Sequence, residues 1–431
     1  MQPFIKEAEK RVHVFGSGRN WGYRFERASI DGHRRRTQKT GFSSERAAKK
    51  AGIRAYESYQ TGGKPENTQK ILFSDYLDLW FDRTKLYARN NTLELREKNI
   101  RLHIKPILGA YPLFAIQPDH IEKFVQEKRK SGFSYETVDR MLSCIHAALD
   151  YAVWPMQLIK KNPAAHIRVP KNGIAQPRLA RSPRRRLEDD EIRQLFRWYP
   201  FGNAFYMPFL LALYFGTRIG ETIALTWNDC DEEKRILSVH HQIQRLTRYG
   251  KPKMHYYCDP KTEESVRPLL FDEKAMLPLL RRWKRQQEAN ERGYGDDYFY
   301  NYLVPAVDYE GRAIWQVVAL EKRQEAPGPR LDLICTHPNG KYLKQESITY
   351  QCRKIRQRGI EGFDFHTLRH TNLTILGESQ IAPSGIMARA GHADYQTTLK
   401  YYMDRRPEMQ EAPVRRMAEQ MKHLFRKEEQ E

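Results

Sequence analysis

Three histidines, an arginine and a pair of tyrosines lie close together near the C-terminal end of the sequence. The stretch HTLRHT contains His366, Arg369 and His370, and His392 follows in the dipeptide GH, ahead of two adjacent tyrosines. Side chains of these types at short spacing are typical of a site that binds a metal ion, binds a phosphate group or transfers a proton. The rest of the sequence has to decide among these three kinds of site.

The spacing within this stretch favours phosphate or proton chemistry over a metal site. Residues three apart are neighbours on a helix, so His366 and Arg369 are predicted to share a helix face. The stretch lacks the glutamate of an HExxH zinc motif. We therefore expect no bound metal.

A second arginine stands beside the most apolar segment of the chain, AFYMPFLLALYFGTRIGE. The pattern predicts a helix that ends at Phe215, breaks at Gly216 and resumes after Arg218. An arginine next to a buried helix is costly unless it is paired, and Glu221 is the predicted partner. The pair has two interpretations, a structural salt bridge or a guanidinium held in place for an anion.

Two segments are predicted to be strands, RILSVHHQIQRLT and KMHYYCDPKTEESVRPLLF, and the second of them contains Lys261. Lys261 is predicted to occupy the turn of the resulting hairpin. A lysine at such a tip is usually only solvated, so its functional interpretation depends on the arginines and histidines named above.

The composition favours an anionic polymer as the partner of this chain. Its 431 residues contain 74 Lys and Arg against 53 Asp and Glu, which gives a net charge of +21. The alternative is a basic protein without a specific partner. Five scattered cysteines without a CxxC pair, and the lack of a long apolar run or a leader peptide, predict a soluble cytoplasmic protein of two or three domains.

The N-terminal segment, residues 1–63, is predicted to be a small α+β domain with three strands and one helix. Glycines and an Asp-Gly step separate runs rich in aromatic and β-branched residues. Basic residues alternate with aromatic ones along these strands. They form either a solvated sheet face or a sheet that lies in a DNA groove. The predicted DNA-contacting residues are Arg24, Arg27, Arg34, Arg35, Arg36 and Lys39.

The middle and C-terminal segments are predicted to be separate domains. Residues 71–170 show helical periodicity with short loops, which predicts an all-α bundle of four or five helices. Residues 171–186 form a basic linker, in which Arg184, Arg185 and Arg186 are further candidates for DNA contact. Residues 187–431 are predicted to form a mainly α domain with a small β-sheet and a C-terminal tail.

Four motifs in order carry a resemblance to a known family. GTRIGE, PKTEESVRPL, HTLRHT and GHADYQTTLKYY resemble the motifs of the tyrosine recombinases, the phage integrases. The resemblance is strongest over residues 187–405. Residues 71–170 are similar to the family's core-site DNA-binding domain, and the N-terminal segment is similar to the arm-site binding domain of integrases from phages and integrative conjugative elements.

The resemblance implies a role for each candidate residue. Arg218 and Arg369 resemble the two catalytic arginines, and Glu221 resembles the acidic residue that supports the first. Lys261 resembles the general acid that protonates the leaving 5′ oxygen. His366 and His392 resemble the histidines that act in proton transfer or donate hydrogen bonds to the phosphate. His370 belongs to the helix motif but not to the family's usual catalytic set, so we interpret it as structural.

The nucleophile is one of two adjacent tyrosines. The family places it nine or ten residues after the histidine of the Gly-His pair, so both Tyr401 and Tyr402 qualify. Family members often have a histidine or an aspartate two residues after the nucleophile. Asp404 stands in that position relative to Tyr402, which makes Tyr402 the preferred nucleophile and Tyr401 the alternative.

The implied activity is site-specific DNA recombination through a covalent 3′-phosphotyrosyl intermediate, which integrates and excises a mobile element without metal, ATP or other cofactor. The implied partners are double-stranded DNA with attachment sites, three further copies in a homotetramer, and an excisionase or a host DNA-bending protein, with no membrane. The alternatives are a catalytically inactive DNA-binding relative and an enzyme like the type IB topoisomerases, which share the tyrosine chemistry.

Two segments remain without an assigned role. Residues 285–330 are longer than a simple connection requires, and they are either an elaborated surface or a contact with a neighbouring subunit. Beyond the tyrosines, a helical stripe of apolar residues is predicted either to pack on its own domain or to dock on the next protomer. Its members are Val414, Met417, Met421 and Phe425.

Overall fold

The computed structural model describes residues 10–30, 33–60, 71–170, 186–260, 262–379, 381–391 and 396. The chain divides into two compact units, Met1–Arg178 and Leu179–Glu431. The first unit contains an N-terminal sheet and a helical bundle, each with its own hydrophobic core, and the second unit has a larger core of its own.

The N-terminal sheet has three antiparallel strands in sequential order, with one helix packed against it. Val12, Tyr23, Phe25 and Tyr56 form its small core. The Oγ atom of Ser44 accepts a hydrogen bond from the main-chain N–H of Ala47 (3.2 Å), which caps the helix. The elements are β1 (His13–Ser17), β2 (Asn20–Ile30), β3 (His33–Phe42) and α1 (Glu45–Gln60).

The bundle is all-helical, as the sequence predicts. Its core includes Trp80, Phe124 and Leu149, all nearly inaccessible to solvent. Ser134 caps the longest helix through its hydroxyl, which accepts from the N–H of Thr137 (3.3 Å). A π-helical stretch, Ile100–Ile104, joins the third and fourth helices of the chain. The helices are α2 (Phe73–Thr84), α3 (Asn90–Asn99), α4 (Lys105–Leu108), α5 (Pro118–Lys130) and α6 (Tyr135–Val153).

The second unit is built around an apolar helix, α8 (Tyr206–Phe215), which follows α7 (Asp189–Trp198). Because α8 is apolar on all sides, it is stable only inside a core. Gly216 ends this helix with a φ of +70°, a left-handed conformation that favours glycine. The chain then resumes as the short helix α9 (Ile219–Thr222), so the break at Gly216 is confirmed and it places Arg218 at the start of α9.

The strands around Lys261 differ from the prediction of a hairpin with this lysine at its tip. β5 (Ile236–Val239) and β6 (Gln242–Leu246) form one arm, and β7 (Met254–Cys258) and β8 (Arg267–Leu270) form the returning arm. β6 pairs with β7, whereas β8 pairs with β5 in a separate sheet beside β4 (Cys230–Asp231). The hairpin turn therefore lies at residues 247–253, and residue 261 falls in the interruption of the returning arm.

The inserted segment forms a hairpin that widens the sheet of β6 and β7. The helix α10 (Met276–Tyr294) leads into β9 (Phe299–Val307) and β10 (Ala313–Glu321). β10 pairs with β7, so the sheet has the order β6-β7-β10-β9. Both interpretations offered for residues 285–330, an elaborated surface and a contact with a neighbouring subunit, stay predictions.

Three helices complete the described part of the second unit. The carboxylate of Asp364 accepts from the N–H of Thr367 (2.9 Å) and begins the helix that carries HTLRHT. Gly391, with a φ of +61°, ends the last helix. These helices are α11 (Gln345–Gln357), α12 (Phe365–Glu378) and α13 (Pro383–Ala390).

Two further features bear on the sequence predictions. Across the described ranges, we find no helix with the length and apolar character that crossing a bilayer requires. All five cysteines are free, and Cys144, Cys335 and Cys352 are buried. The apolar stripe predicted after the tyrosines lies outside the described residues.

The core around α8 makes the first testable prediction. Phe209 is fully buried and contacts the rings of Tyr199, Phe363 and Phe365. We expect Phe209→Ala to lower the free energy of unfolding of the second unit by about 3–5 kcal/mol, because it removes a buried ring and leaves a cavity. Calorimetric unfolding of the full chain measures this change. Val307→Ala, at a side chain 61% exposed, is the control and should change stability by less than about 0.5 kcal/mol.

Candidate active site

Three arginines hold the C-terminal end of α13. A helix leaves its last carbonyl groups without partners inside the helix, and these groups carry partial negative charge. Arg267 Nε donates to the carbonyl of Arg389 (2.7 Å), and Arg369 Nη2 donates to that of Ala390 (2.6 Å). Arg218 Nη2 donates to the carbonyl of Gly391 (3.0 Å). Three consecutive carbonyl oxygens thus receive three guanidinium groups.

Two of these arginines are the ones that the sequence identifies as candidates for chemistry. The Arg218 side chain is 38% exposed, so part of its guanidinium faces solvent. Arg369 is 1% exposed, and its Nη1 donates to the carbonyl of Gly216 (2.6 Å). Because consecutive residues are about 3.8 Å apart, the two guanidinium groups that contact Ala390 and Gly391 lie close together. The structure therefore brings the two predicted arginines into one cationic site.

Glu221 fixes the orientation of Arg218. Its Oε1 accepts from Arg218 Nη1 (2.6 Å), and its Oε2 accepts from the main-chain N–H of Arg218 (3.0 Å). The second bond is a helix-capping contact, because Arg218 precedes the first turn of α9 and Glu221 lies within that turn. The predicted pairing of Arg218 with Glu221 is therefore present in the structure, and the local fold of α9 and the ion pair support each other.

The Glu221 carboxylate is buried and remains charged. Burial by itself raises the pKa of this carboxyl group, but the charge of Arg267 and then that of Arg218 lower it, so its pKa lies below the ordinary value. Arg267 Nη2 donates to Oε2 of Glu221 (3.0 Å) and completes the contacts of the carboxylate. One negative charge is thus shared between two guanidinium groups.

Both histidines of HTLRHT lie on α12. His366 is half-buried on α12, one turn before Arg369, as the helical spacing predicts. His370 is also half-buried, and its Nδ1 lies 3.3 Å from the hydroxyl of Thr374 within the same helix. This contact agrees with the structural role expected for His370.

Four predicted residues lie outside the described residues: Lys261, His392, Tyr401 and Tyr402. The described neighbours of two of them belong to the site. Thr262 Oγ1 lies 3.2 Å from the hydroxyl of Ser265, and Arg218 Nη1 donates to that same hydroxyl (3.4 Å). Ser265, four residues after Lys261, and Gly391, directly before His392, therefore both contact Arg218.

The predicted DNA-contacting residues have several outcomes. Arg24 and Arg36 are exposed on the N-terminal sheet, and Arg24 also lies over the ring of Phe15 (5.7 Å). Lys39 is exposed too, but it stands opposite Tyr23 in the register of β2 and β3. Because the ring of Tyr23 belongs to the core of the sheet, Lys39 lies at the edge of the packed face. The strands β2 and β3 also carry Arg27, Arg34 and Arg35, but the surroundings of these three side chains lie outside what the structure describes. The whole of Arg184 and Arg185 lies outside the described residues.

Arg186 differs from its neighbours in the linker. Its side chain is 17% exposed and lies 3.5 Å from the carboxylates of both Glu188 and Glu378. Its charge is therefore balanced within the protein. A role in DNA contact stays a prediction for the whole set of basic residues.

The sequence reasoning assigned no role to Arg267, although the motif PKTEESVRPL contains it. Its position in β8 offers a clue, because the strand alternates between buried and exposed residues and Arg267 is on the buried side. A buried charge needs a partner. The partner, Glu221, is distant in sequence, and no local pattern identifies it.

The described part of the chain lacks a cluster of metal ligands. In the part of the chain that the structure describes, no group of three or more His, Cys, Asp or Glu side chains is arranged to hold a metal ion. The described site is instead rich in guanidinium groups, whose geometry matches the oxygens of a phosphate.

The sequence matches two known protein families. The family described as "Phage integrase family" matches residues 185–409, more than half of the chain. A second family, "Phage integrase, N-terminal SAM-like domain", matches residues 72–129. The matched ranges include the arginine site and the first four helices of the bundle, α2 to α5, apart from the last residue of α5.

Individual relatives agree with the family match. The ICEBs1 integrase of Bacillus subtilis is 22% identical to this chain over 79% of the chain and 80% of its own length. The Tn1549 transposon integrase, solved with transposon right end DNA, has a TM-score of 0.57 and 19% identity over 80% of this chain and 99% of that chain. A lambda integrase tetramer bound to a Holliday junction has a TM-score of 0.51 and 16% identity over 93% and 97%. The two solved structures show that the fold is shared.

The buried carboxylate makes the second testable prediction. In Glu221→Gln, two guanidinium groups lose their common counter-charge. We expect the free energy of unfolding to fall by about 3–5 kcal/mol at pH 7. Because the pKa of Glu221 is lowered on folding, its contribution is complete above the ordinary value of about 4.3 and disappears as the pH falls through the lower folded value. The difference in melting temperature between wild type and variant should therefore shrink in strong acid.

Thermal unfolding between pH 7 and pH 3 measures this difference. Glu273→Gln is the matched control, because Glu273 is 72% exposed and lies 3.8 Å from Arg235 at the surface. It should change stability by less than about 1 kcal/mol at any pH. A difference for Glu221→Gln that stays constant over the whole pH range would contradict a charged Glu221.

Proposed function

This chain belongs to the phage integrase family, and we propose that Arg218 and Arg369 bind the scissile phosphate of a DNA strand during recombination. The chain is a tyrosine-type site-specific recombinase, an enzyme that cleaves and rejoins DNA strands. The observation that supports the assignment of the two arginines is their convergence on the consecutive carbonyls of Ala390 and Gly391.

The two carbonyl oxygens stand in for phosphate oxygens. A guanidinium group is planar and donates from several N–H groups at fixed angles, which matches the non-bridging oxygens of a phosphodiester. Hydrogen bonds between charged partners are about twice as strong as those between neutral ones, so a phosphate competes well against a carbonyl. Arg218 presents its exposed part to the incoming phosphate, and Arg369 exchanges a carbonyl contact for a phosphate contact.

The covalent step uses a tyrosine near the C-terminal end. The phenolate oxygen of Tyr402 attacks the phosphorus in line, a bond between them forms, and the bond from phosphorus to the 5′ oxygen breaks. A free phenol has a pKa of about 10, so the nearby positive charges promote the reaction by favouring the phenolate. Tyr401 is the alternative nucleophile. The 3′-phosphotyrosyl bond retains the energy of the broken bond, so rejoining needs no ATP.

The leaving oxygen needs a proton, and the phosphate needs further donors. Lys261 supplies the proton to the 5′ oxygen as that bond breaks. His366 and His392 donate hydrogen bonds to the phosphate or take part in proton transfer. The two arginines stabilise the negative charge that spreads over the non-bridging oxygens. Each such donor lowers the activation free energy by about 3 kcal/mol in comparable sites.

The domains divide the binding of double-stranded DNA among themselves. We assign residues 1–63 to arm sites and residues 71–170 to core sites, with residues 171–186 as a basic linker and residues 187–431 as the catalytic domain. The match of residues 72–129 to the N-terminal domain of phage integrases supports the second assignment. The Tn1549 integrase is bound to DNA and the lambda integrase forms a tetramer on a Holliday junction, which support DNA binding and a homotetramer for this chain. An excisionase or a host DNA-bending protein is the expected accessory factor.

The third testable prediction concerns the nucleophile. A nicked duplex that carries the attachment site of the parent element traps the covalent intermediate, because the fragment beyond the nick diffuses away. We expect wild type and Tyr401→Phe to form a protein–DNA adduct that survives denaturing electrophoresis in EDTA. Tyr402→Phe should bind the same duplex and form no adduct.

The other outcomes are equally informative. Loss of the adduct only in Tyr401→Phe would keep the function and move the nucleophile to Tyr401. DNA binding by wild type without any adduct would contradict cleavage and favour a DNA-binding relative that does not cut. Relaxation of plasmids without site preference would favour an activity like that of type IB topoisomerases.

The fourth testable prediction concerns the glycine before His392. A Cβ atom at Gly391 would lie 2.8 Å from the carbonyl oxygen of Glu264 and 3.0 Å from Arg267 Nη1. The added methyl group of Gly391→Ala should therefore displace the two segments that contact Arg218, those of Ser265 and Gly391. We expect adduct formation to slow by about 10²-fold, because small displacements of reacting groups have effects of this size. The rate is measured in a single turnover.

Gly250 provides the matched control for this substitution. It has a similar φ, +71° against +61°, and nothing lies within 4 Å of its added Cβ. Gly250→Ala therefore introduces a similar backbone strain of about 1 kcal/mol without a collision. Equal cleavage rates in the two variants would contradict a requirement for close packing at Gly391.

A further inference from the structure

Arg267 is a buried arginine that contacts each of the chain segments around Arg218. Its residue exposure is 5%. Nη2 donates to Glu221 Oε2 (3.0 Å), Nε donates to the carbonyl of Arg389 (2.7 Å), and Nη1 donates to the carbonyl of Ser265 (2.7 Å). One guanidinium thus joins α9, the C-terminal end of α13 and the segment that follows Lys261.

The contact with Glu221 links Arg267 to a catalytic arginine. Arg218 uses Oε1 of the same carboxylate, and Arg267 uses Oε2. Among the charges that lower the pKa of Glu221, that of Arg267 ranks ahead of that of Arg218. The orientation of the carboxylate, and with it that of Arg218, therefore depends on Arg267.

The other two contacts concern the segments next to Lys261 and His392. The carbonyl of Ser265 and the hydroxyl of Ser265 bind different arginines, because Arg267 takes the first and Arg218 takes the second. The carbonyls of Arg389 and Gly391 bind the same two arginines in the same way. Arg267 and Arg218 therefore hold both segments from two sides.

Each nitrogen of the Arg267 guanidinium already donates to an acceptor of the protein, one of them the Glu221 carboxylate, so Arg267 has no free nitrogen for a phosphate in this arrangement. Burying a guanidinium costs several kcal/mol, and apolar residues of similar size often stabilise a core equally well or better. Stability alone therefore gives a weak reason for an arginine here. A planar group with donors in three directions meets three fixed acceptors, whereas a lysine has one nitrogen at the end of a flexible chain.

We propose that Arg267 is a positioning residue for DNA strand cleavage, which acts through Glu221 on Arg218. This inference rests on the proposed function of Arg218. It predicts that Arg267 affects the rate of the covalent step while DNA affinity stays the same, since the affinity comes mainly from contacts with phosphates elsewhere on the duplex.

A double-mutant cycle on the rate of adduct formation tests this proposal. We expect Arg267→Lys to slow single-turnover cleavage of the nicked duplex by about 10²-fold, with less than about a threefold change in Kd for DNA. In an Arg218→Lys background, the same change should slow cleavage by less than about threefold, because the group on which Arg267 acts is already altered. A purely structural arginine would give equal losses in both backgrounds.

The matched control is a second buried arginine of the same unit. Arg248 is 7% exposed and its Nη2 lies 3.1 Å from the carboxylate of Glu310, which is also buried. Arg248→Lys should lower the melting temperature as Arg267→Lys does, yet leave the cleavage rate within about threefold of wild type. All rates are measured well below the melting temperature of each variant, and Arg267→Gln replaces Arg267→Lys in the cycle if the latter does not fold.

The outcomes separate this inference from the proposed function. Failure of wild type to form an adduct would contradict the proposed function itself. A normal wild-type adduct together with additive losses, or with no loss in the Arg267 variants, would overturn the positioning role alone. Non-additive losses with unchanged DNA affinity would support it.

Discussion

The geometry of the site depends on one buried carboxylate that two guanidinium groups share. Glu221 holds Arg218 at one oxygen and Arg267 at the other, and it also caps the short helix that begins at Arg218. With Arg369 included, three positive charges and one negative charge surround the end of α13, so a net positive charge remains for an anion. Buried ion pairs contribute little to stability on balance, which makes their value here one of orientation.

The scaffold places these groups by ending helices at defined points. Gly216 ends α8 so that Arg218 follows it within two residues, and Gly391 ends α13 so that its carbonyls face the arginines. The added hairpin of β9 and β10 lies in the same unit, and its charges are paired: Arg312 with Asp308, and Glu310 with Arg248 from the turn between β6 and β7. It therefore enlarges the sheet without adding to the positive field.

The parts of this protein that follow from local rules were predictable from sequence. The break at Gly216, the cap at Asp364 and the pairing of Arg218 with Glu221 depend on residues within one or two turns of each other. The four motifs predicted the family, which the family match confirms. The parts that depend on distant partners were not predictable, because β8 pairs with β5 instead of β7 and Arg267 binds a carboxylate 46 residues away. No local pattern determines such pairings.

The sequence distance between the parts of the site affects how a newly made chain becomes active. The bond from Arg218 to Gly391 spans 173 residues, and that from Arg369 to Gly216 spans 153. Chains grow from the N-terminus at about 5–20 residues per second, and contacts between distant residues form slowly. Arg218 is therefore synthesised well before the carbonyl of Gly391 that it binds, and Arg369 well after the carbonyl of Gly216. A ribosome-bound chain cannot complete the arginine site until residue 391 has emerged. The bundle and the N-terminal sheet, which use local contacts, can fold first.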